Sequence, residues 1–316
     1  MSKPFVLTNG KVRAIAAKIL EQETDFHIAK IDDPNFYELL EKADALYSAD
    51  YNNKIDDEFL KKAPKLKVVG QYSIGYDHID IPACHRHNVK VSNTPGIPTD
   101  SVADFAYGLL LDCARKITPA DAFVRRGIWG QRKAFGLTTD LADKTLGIIG
   151  MGAIGCAIAT RALASKMHII YHNRHPRPDD QKWQATYTDL DTLLSTADYI
   201  VLACALNPST RNLINGDALA KMKDTASLIN ISRGAVVDTD ALCATLAQGK
   251  LRHVALDVTD PEPLPGDHPL LKFPNVTVTP HMASATKETR DAMALLVAQN
   301  ILLALKGEPM LTEIKE

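Results

Sequence analysis

Residues 145–155 read TLGIIGMGAIG, an apolar run that passes directly into Gly150-x-Gly152-x-x-Gly155. A strand buried on both faces of a parallel sheet reads as such a run. Three glycines at this spacing meet three backbone needs. The first permits a tight turn, the second lets a pyrophosphate approach, and the third lets the next helix pack closely on the strand. That helix begins with Ala153 and Ile154 and is rich in alanine (Ala157, Ala159, Ala162, Ala164). Its N-terminal N–H groups and dipole favour an anion. The glycine pattern alone is weak, but a strand before it, a helix after it and a second strand over 168–171 supply the context it requires. The reading is a dinucleotide-binding unit with Gly150, Gly152, Ala153, Ile154 and Gly155 against the cofactor. The plainer alternative is a strand–turn–helix that binds nothing.

An NAD-specific unit places Asp or Glu at the end of its second strand, to accept hydrogen bonds from the ribose hydroxyls. Here the sequence is Tyr171-His172-Asn173-Arg174-His175-Pro176-Arg177. Neutral Asn173 removes the anion that would repel a 2′-phosphate, and Arg174 supplies a cation to hold one. This predicts NADP(H) as the preferred cofactor and NAD(H) as the second. The plainer reading makes Arg174 a surface cap on the strand.

Strand-like and helix-like segments alternate along nearly the whole chain. Strands are expected over 5–7, 26–29, 45–47, 67–70 and 89–91, and again over 146–149, 168–171, 199–203, 228–231, 254–256 and 276–278. Helices are expected over 35–43, 57–62, 101–115 and 286–306. The fold class is α/β: two parallel-sheet domains, Rossmann-like and flavodoxin-like, with a cleft between them. Turn formers in NTPGIPTDS, at 95–100, mark the boundary. The last helix should bury a stripe of Ala292, Leu295, Leu296, Leu302 and Leu303, interrupted by Gln299, and stop at Gly307 and Pro309. Following the sixth strand of the second sheet, it is expected to return to the first domain and make a hinge. Residues 117–144 read as a long, polar, irregular loop with Trp129 and Phe135, a pattern expected at a dimer interface near the substrate mouth; the plainer reading is a loop packed on its own domain.

Three further segments fall where strands of the second sheet end: Asn230-Ile231-Ser232-Arg233-Gly234, Asp257-Val258-Thr259-Asp260-Pro261-Glu262-Pro263 and Thr279-Pro280-His281. Ligands of open parallel sheets bind at that edge, so Arg233, Glu262 and His281 are placed to converge. Their chemistry fits carbonyl reduction. Arg233 presents a planar fork to a carboxylate and polarises the adjacent ketone. Histidine is a proton donor near physiological pH, and Glu262 would orient His281 and favour its imidazolium. Pro261, Pro263, Pro265, Pro269 and Pro274 stiffen the loop carrying Glu262. The bland readings are a surface ion-pair arginine, a solvated glutamate and one histidine among 10.

The 316 residues carry 36 Lys+Arg against 38 Asp+Glu, a balance that gives no reason to expect nucleic acid or an anionic membrane as partner. No apolar stretch approaches a membrane span, and the N-terminus lacks a secretory h-region. Five scattered cysteines without a CxxC pair point to reduced thiols and a cytoplasmic setting. The Cys84-His85-Arg86-His87 cluster matches no zinc spacing, so no metal is expected.

At these residues the chain resembles the D-isomer-specific 2-hydroxyacid dehydrogenases, most closely the glyoxylate/hydroxypyruvate and hydroxyphenylpyruvate reductases. The motifs run in the family's order over nearly the whole chain: SIGYDHIDI from Ser73, VSNTPGIPTDSVADFAYGLLL from Val91, LGIIGMGAIG, YHNRHPRP, INISRGAVVD, LDVTDPEPL and TPHMASAT. The resemblance implies Arg233, Glu262 and His281 as the catalytic set, with His281 the general acid. It implies that Ile74 and Gly75, with Arg233 and His281, bind the substrate, the first two through backbone N–H groups on its carboxylate. It places Thr99, Asn173, Arg174, Ile231 and Asp257, besides the glycine loop, along the cofactor. The implied layout is a discontinuous substrate domain of 1–98 and 286–316 around a dinucleotide domain of 99–285, homodimeric through the latter. The implied activity is NADPH-dependent reduction of small 2-keto acids, glyoxylate and hydroxypyruvate first, with hydroxyphenylpyruvate or 2-ketogluconate as bulkier alternatives. A nucleotide-sensing corepressor on the same fold is the rival; corepressors carry extra tail segments, and this chain ends soon after its last helix. Formate dehydrogenase pairs its histidine with Gln where this chain has Glu262. One departure stands out: Met282-Ala283-Ser284 replaces the family's usual Ile-Gly-Ser, and adds a methyl near the expected nicotinamide.

Overall fold

The structure, a computed structural model, describes residues 3–50 and 53–315. The chain divides into two compact units, Met1–Pro98 with Ala285–Glu316, and Thr99–Ser284.

The first unit is built on five parallel strands: β1 (Phe5–Thr8), β2 (Asp25–Ile28), β3 (Ala45–Ser48), β4 (Val68–Gln71) and β5 (Lys90–Ser92), in the order β2-β1-β3-β4-β5. Successive side chains on a strand point to opposite faces. Leu7, Leu46, Val69 and Val91 accordingly meet Phe36, Leu40, Leu60 and Cys84 on one face. Val6, Ala45, Tyr47 and Val68 meet Ala16 and Leu20 on the other, together with Met293, Ala294, Val297 and Ile301 of the helix Lys287–Leu305. Both faces are covered, which is why these strands read as unbroken apolar runs.

The last helix buries a different face from the one its pattern predicts. Of Ala292, Leu295, Leu296, Leu302 and Leu303, only Leu302 is buried; Met293, Ala294, Val297, Ala298 and Ile301 form the packed side. The helix is apolar almost all round, so periodicity does not select a face. Close approach does: a Cβ on Gly70 of β4 would lie 2.7 Å from Val297 Cγ1 and 2.9 Å from Ile301 Cδ1.

The second unit carries seven parallel strands: β6 (Thr145–Ile149), β7 (His168–His172), β8 (Ala185–Tyr187), β9 (Tyr199–Leu202), β10 (Ser227–Asn230), β11 (His253–Leu256) and β12 (Val276–Val278). Their order is β12-β11-β10-β9-β6-β7-β8. The edge strand β8 is absent from the sequence reading. Three residues are too few to show a period, and Gln184, at φ +47°, turns the chain immediately before them.

Residues 117–144 are not the irregular loop expected. They contain a helix, Ile117–Arg125, and 3-10 turns over Trp129–Phe135. Lys116, at φ +51°, breaks the preceding helix Thr99–Arg115, and buried Asp112 accepts the Thr118 N–H at 2.6 Å to start the next. The helix Ile117–Arg125 buries none of its residues in this chain, and Ile117, Val124, Trp129 and Leu137 are exposed.

Asp112 also accepts from Thr277 Oγ1 at 2.8 Å, and His253 Nε2 lies 2.9 Å from that hydroxyl. Since the Thr277 proton goes to Asp112, His253 must donate from Nε2 and keep Nδ1 bare. Burial pushes the pKa of His253 down, against the opposing pull of Asp112. An unfolded histidine, with a pKa of about 6.5, therefore binds more protons than the folded one as pH falls through that value, and stability falls with it. Wild type is expected to lose more Tm between pH 7.5 and 5.5 than His253→Gln. Equal losses in parallel melts would rule His253 out as the source.

Candidate active site

The strand order of the second unit reverses at β6. The chain runs from β6 outward to β7 and β8, then returns to continue from β9 on the opposite side. Such a switch point leaves a crevice at the carboxyl ends of the strands. Gly150 sits there at φ +96°, and a Cβ on it would lie 2.5 Å from the backbone nitrogen of Cys204, just beyond β9. On Gly155 a Cβ would lie 2.6 Å from Gly150 O. On Gly152 it would meet no protein atom within 4 Å. The first and third glycines thus serve the fold, while the second faces open space beside exposed Ala153 at the start of the helix Ala153–Ala164. That is the cradle a pyrophosphate needs. Thr99 Oγ1 is buried and has no hydrogen-bond partner among the described residues.

Beyond β7, Asn173 Oδ1 accepts the Met151 N–H at 2.7 Å, so its carboxamide fixes the glycine loop itself. Arg174 is exposed. Arg177, to which the sequence assigns no role, donates from Nη1 to Met151 O at 3.2 Å, pairs with Asp179 at 2.8 Å and lies over Trp183. An Arg-x-x-Arg spacing after the strand was the signal available for it.

The other strand ends assemble the remaining side chains. Fully buried Asn230 accepts the Ser232 N–H at 3.0 Å and donates to Arg233 O at 2.9 Å, which shapes the turn after β10. Ile231, in the same turn, is buried. Gly234 brings this turn against the next one: a Cβ there would fall 1.9 Å from Thr259 O. Glu262 lies three residues on and accepts the Thr259 N–H at 3.4 Å. Its Oε1 is 2.7 Å from His281 Nδ1. Half-burial pushes the Glu262 carboxyl up. The hydrogen bond and charge of His281, the Thr259 N–H and the Arg233 charge outweigh this and hold it below the ordinary carboxylate range. An ionised Glu262 accepts the hydrogen bond from Nδ1–H and leaves Nε2 as the nitrogen not engaged with it.

His281 itself has a left-handed backbone, φ +53°, rare for a residue with a Cβ. Asp257 holds it there. The Asp257 carbonyl accepts the His281 N–H at 2.9 Å, and the buried carboxylate accepts Thr279 Oγ1 at 2.7 Å, Met282 N at 2.8 Å and Ala283 N at 2.9 Å. An aspartate at a strand end carries no sequence mark of this duty. In the first unit, β4 leads into the segment 73–75, where the N–H groups of Ile74 and Gly75 donate to none of the described residues.

Residues 107–283 match the D-isomer specific 2-hydroxyacid dehydrogenase family, NAD binding domain. A glyoxylate reductase of Thermofilum pendens is 41% identical, covering 98% of this chain and 93% of its own length. The chain belongs to the D-isomer-specific 2-hydroxyacid dehydrogenases. The human glyoxylate reductase/hydroxypyruvate reductase is 42% identical over 84% of this chain and 82% of its own. Among solved structures, an NADPH-dependent glyoxylate/hydroxypyruvate reductase of Sinorhizobium meliloti, in complex with NADP and malonate, superposes with a TM-score of 0.91 at 31% identity, covering 99% and 97% of the two chains.

This dehydrogenase is thus an NAD(P)-dependent oxidoreductase with an α/β fold of two parallel sheets. Ala283, where its family usually has glycine, is buried, and its methyl joins the core that includes Val102 and Ile231. Among the described residues, no helix is long and apolar enough to cross a membrane, and no cluster of His, Cys, Asp or Glu could hold a metal ion.

Proposed function

We propose that the protein reduces small 2-keto acids, glyoxylate and hydroxypyruvate foremost, to D-2-hydroxyacids with NADPH. The observation that carries this is the His281 Nδ1–Glu262 Oε1 bond of 2.7 Å, within reach of the Arg233 charge and on the sheet edge that bears the glycine loop. The N–H groups of Ile74 and Gly75 bind the substrate carboxylate. Arg233 polarises the ketone, its fork matched to a carboxylate and an adjacent carbonyl. A dinucleotide held by the glycine loop would supply the hydride. His281 delivers a proton from Nε2 to the oxygen that becomes the hydroxyl, while Glu262 holds the ring through Nδ1. Gly150, Gly152, Ala153, Ile154 and Gly155 form the loop that receives the pyrophosphate, Gly152 through its open side and Gly150 and Gly155 through the close turn they allow, and Thr99, Asn173, Arg174, Ile231 and Asp257 line the rest of the cofactor. Residues 1–98 and 286–316 form the substrate domain and 99–285 the dinucleotide domain. The five free cysteines agree with a cytoplasmic enzyme.

The preference for NADP(H) rests on neutral Asn173, turned to the glycine loop, followed by exposed Arg174. Steady-state rates for glyoxylate, hydroxypyruvate, hydroxyphenylpyruvate and 2-ketogluconate with both cofactors test the whole reading. The two small acids with NADPH should show the highest kcat/KM. No turnover of any acid would sink the enzyme reading. Arg174→Ala should lower kcat/KM for NADPH by about tenfold or more, the worth of a hydrogen bond to a charged group, and leave NADH unchanged. Equal effects on both cofactors would remove Arg174 from 2′-phosphate recognition.

The chain pairs with a second copy through the dinucleotide domain. The exposed apolar side chains of Ile117, Val124, Trp129 and Leu137 supply the surface. Light scattering at micromolar concentration should give twice the chain mass, and a monomer would refute the pairing.

A further inference from the structure

The N–H groups of Ile74 and Gly75 bind an anion only if both peptide planes are held in one orientation. A trans peptide is planar, and its N–H points opposite to its carbonyl. Whatever grips the Ser73 carbonyl therefore aims the Ile74 N–H, and whatever grips the Ile74 carbonyl aims the Gly75 N–H. The first grip is backbone: Thr94 N donates to Ser73 O at 3.0 Å. The second is a side chain: Asn93 Nδ2 donates to Ile74 O at 2.8 Å.

We propose that Asn93 is a positioning residue for substrate binding, which aims the Gly75 N–H at the substrate carboxylate through the Ile74 carbonyl. The proposal rests on the keto-acid reading above and names how that site is kept in shape. Asn93 is fit for the task because it is itself braced. Its carbonyl accepts from Thr312 Oγ1 at 2.7 Å, and Thr312 Oγ1 in turn accepts from Asn300 Nδ2 at 2.8 Å. Asn300 is fully buried in the last helix, and its Oδ1 accepts the Leu311 N–H at 2.7 Å. The substrate loop is thereby tied to the C-terminal segment, which no motif in the sequence links to it.

A second strut acts one peptide further on. The Ser73 hydroxyl donates to Gly75 O, and Gln71 Nε2 donates to Ser73 Oγ at 3.0 Å. Gln71 is fully buried, and its amide end fixes the direction of the relay. Because Gln71 donates, the single Ser73 proton is left for Gly75 O. Three consecutive carbonyls of this loop are held in this way, while the Ile74 and Gly75 N–H groups donate to none of the described residues.

Asn93→Ala and Asn93→Asp test this, with Ser73→Ala as a variant that loosens the loop from its other side. Asn93→Asp keeps the size of the side chain but sets a carboxylate oxygen against Ile74 O. Four quantities are read: KM and kcat for glyoxylate, Ki for oxamate as a non-reacting carboxylate probe, and NADPH affinity by fluorescence. The expected result is a rise of about tenfold in KM and in the oxamate Ki, as for loss of a hydrogen bond to a charged group. kcat should stay within about twofold, since the lost contact is made equally in ground and transition states. NADPH affinity should not move.

Unchanged KM and Ki in folded variants would overturn the proposal, and so would a fall in NADPH affinity that parallels them. A wild-type protein that neither reduces glyoxylate nor binds oxamate would overturn the functional reading and the proposal together. An active wild type with indifferent variants would overturn the proposal alone.

Discussion

His281→Asn is expected to lower kcat for 2-keto acid reduction by about 10²–10⁴-fold, the range for removing a positioned general acid. Asparagine is the informative replacement. The backbone at position 281 is left-handed, φ +53°, and Asn is among the residues that accept this conformation most readily. The Asp257 hydrogen bonds to the N–H groups of 281, 282 and 283 should therefore survive, and the loop with them. NADPH affinity and Tm should stay at wild-type values, so that the loss is chemical. Glu262→Gln should fall between the two enzymes. Its amide oxygen still accepts from Nδ1, but the negative charge that steadies a protonated ring is gone. The pH dependence separates the two residues further. The Glu262 carboxyl is held below its usual range, so it stays ionised through mildly acid pH. Any support it gives is present above its unfolded value of about 4.3 and is lost only as pH falls through the lowered folded value. An acid limb in kcat above pH 5.5 would have to come from another group. Full activity in His281→Asn would remove His281 from the mechanism.

Legibility from sequence followed the physics of each element. Strands buried on both faces announce themselves as apolar runs, and the glycine loop announces its ligand through backbone needs that few other residues meet. Hence the two parallel sheets were readable. Three features were not. Strand β8 is too short to show a period. The last helix is apolar almost all round after its charged first turn, and the absent Cβ of Gly70, not a stripe, decides which side is packed. The helix Ile117–Arg125 buries nothing in its own chain, so its apolar residues looked like those of a loop. At the site, the positions of Arg233, Glu262 and His281 at strand ends were readable because strand ends are. The hydrogen bonds that hold them there were not. Asp257 is one aspartate among many by sequence, yet it anchors the whole turn from Thr279 to Ala283. Asn93 and Ile74 are 19 positions apart and meet only because β4 and β5 are neighbours.

Gly234→Ala should cost both stability and activity, and a comparison with Gly152→Ala shows why. A Cβ on Gly234 would sit 1.9 Å from Thr259 O and 2.0 Å from Thr259 C. These are backbone atoms, so no side chain can swing aside to relieve the overlap. The turn after β10 must move away from the turn after β11, and Arg233 rides on the first while Glu262 rides on the second. Overpacking of this kind costs about 1–3 kcal/mol or somewhat more. A displacement on the order of 1 Å in catalytic groups lowers kcat/KM by about 10²-fold. Gly152 sits at the same sheet edge with an extended backbone, and its added methyl would meet no protein atom within 4 Å. Gly152→Ala should therefore keep the wild-type Tm and raise only the KM for NADPH, because the methyl enters the space a pyrophosphate needs. Melting curves and cofactor titrations on the two variants decide between these assignments. If Gly234→Ala melts with wild type and keeps its kcat/KM, the contact between the two turns does not hold Arg233 and Glu262 in register. If Gly152→Ala binds NADPH as wild type does, the open side of the glycine loop is not where the cofactor lies.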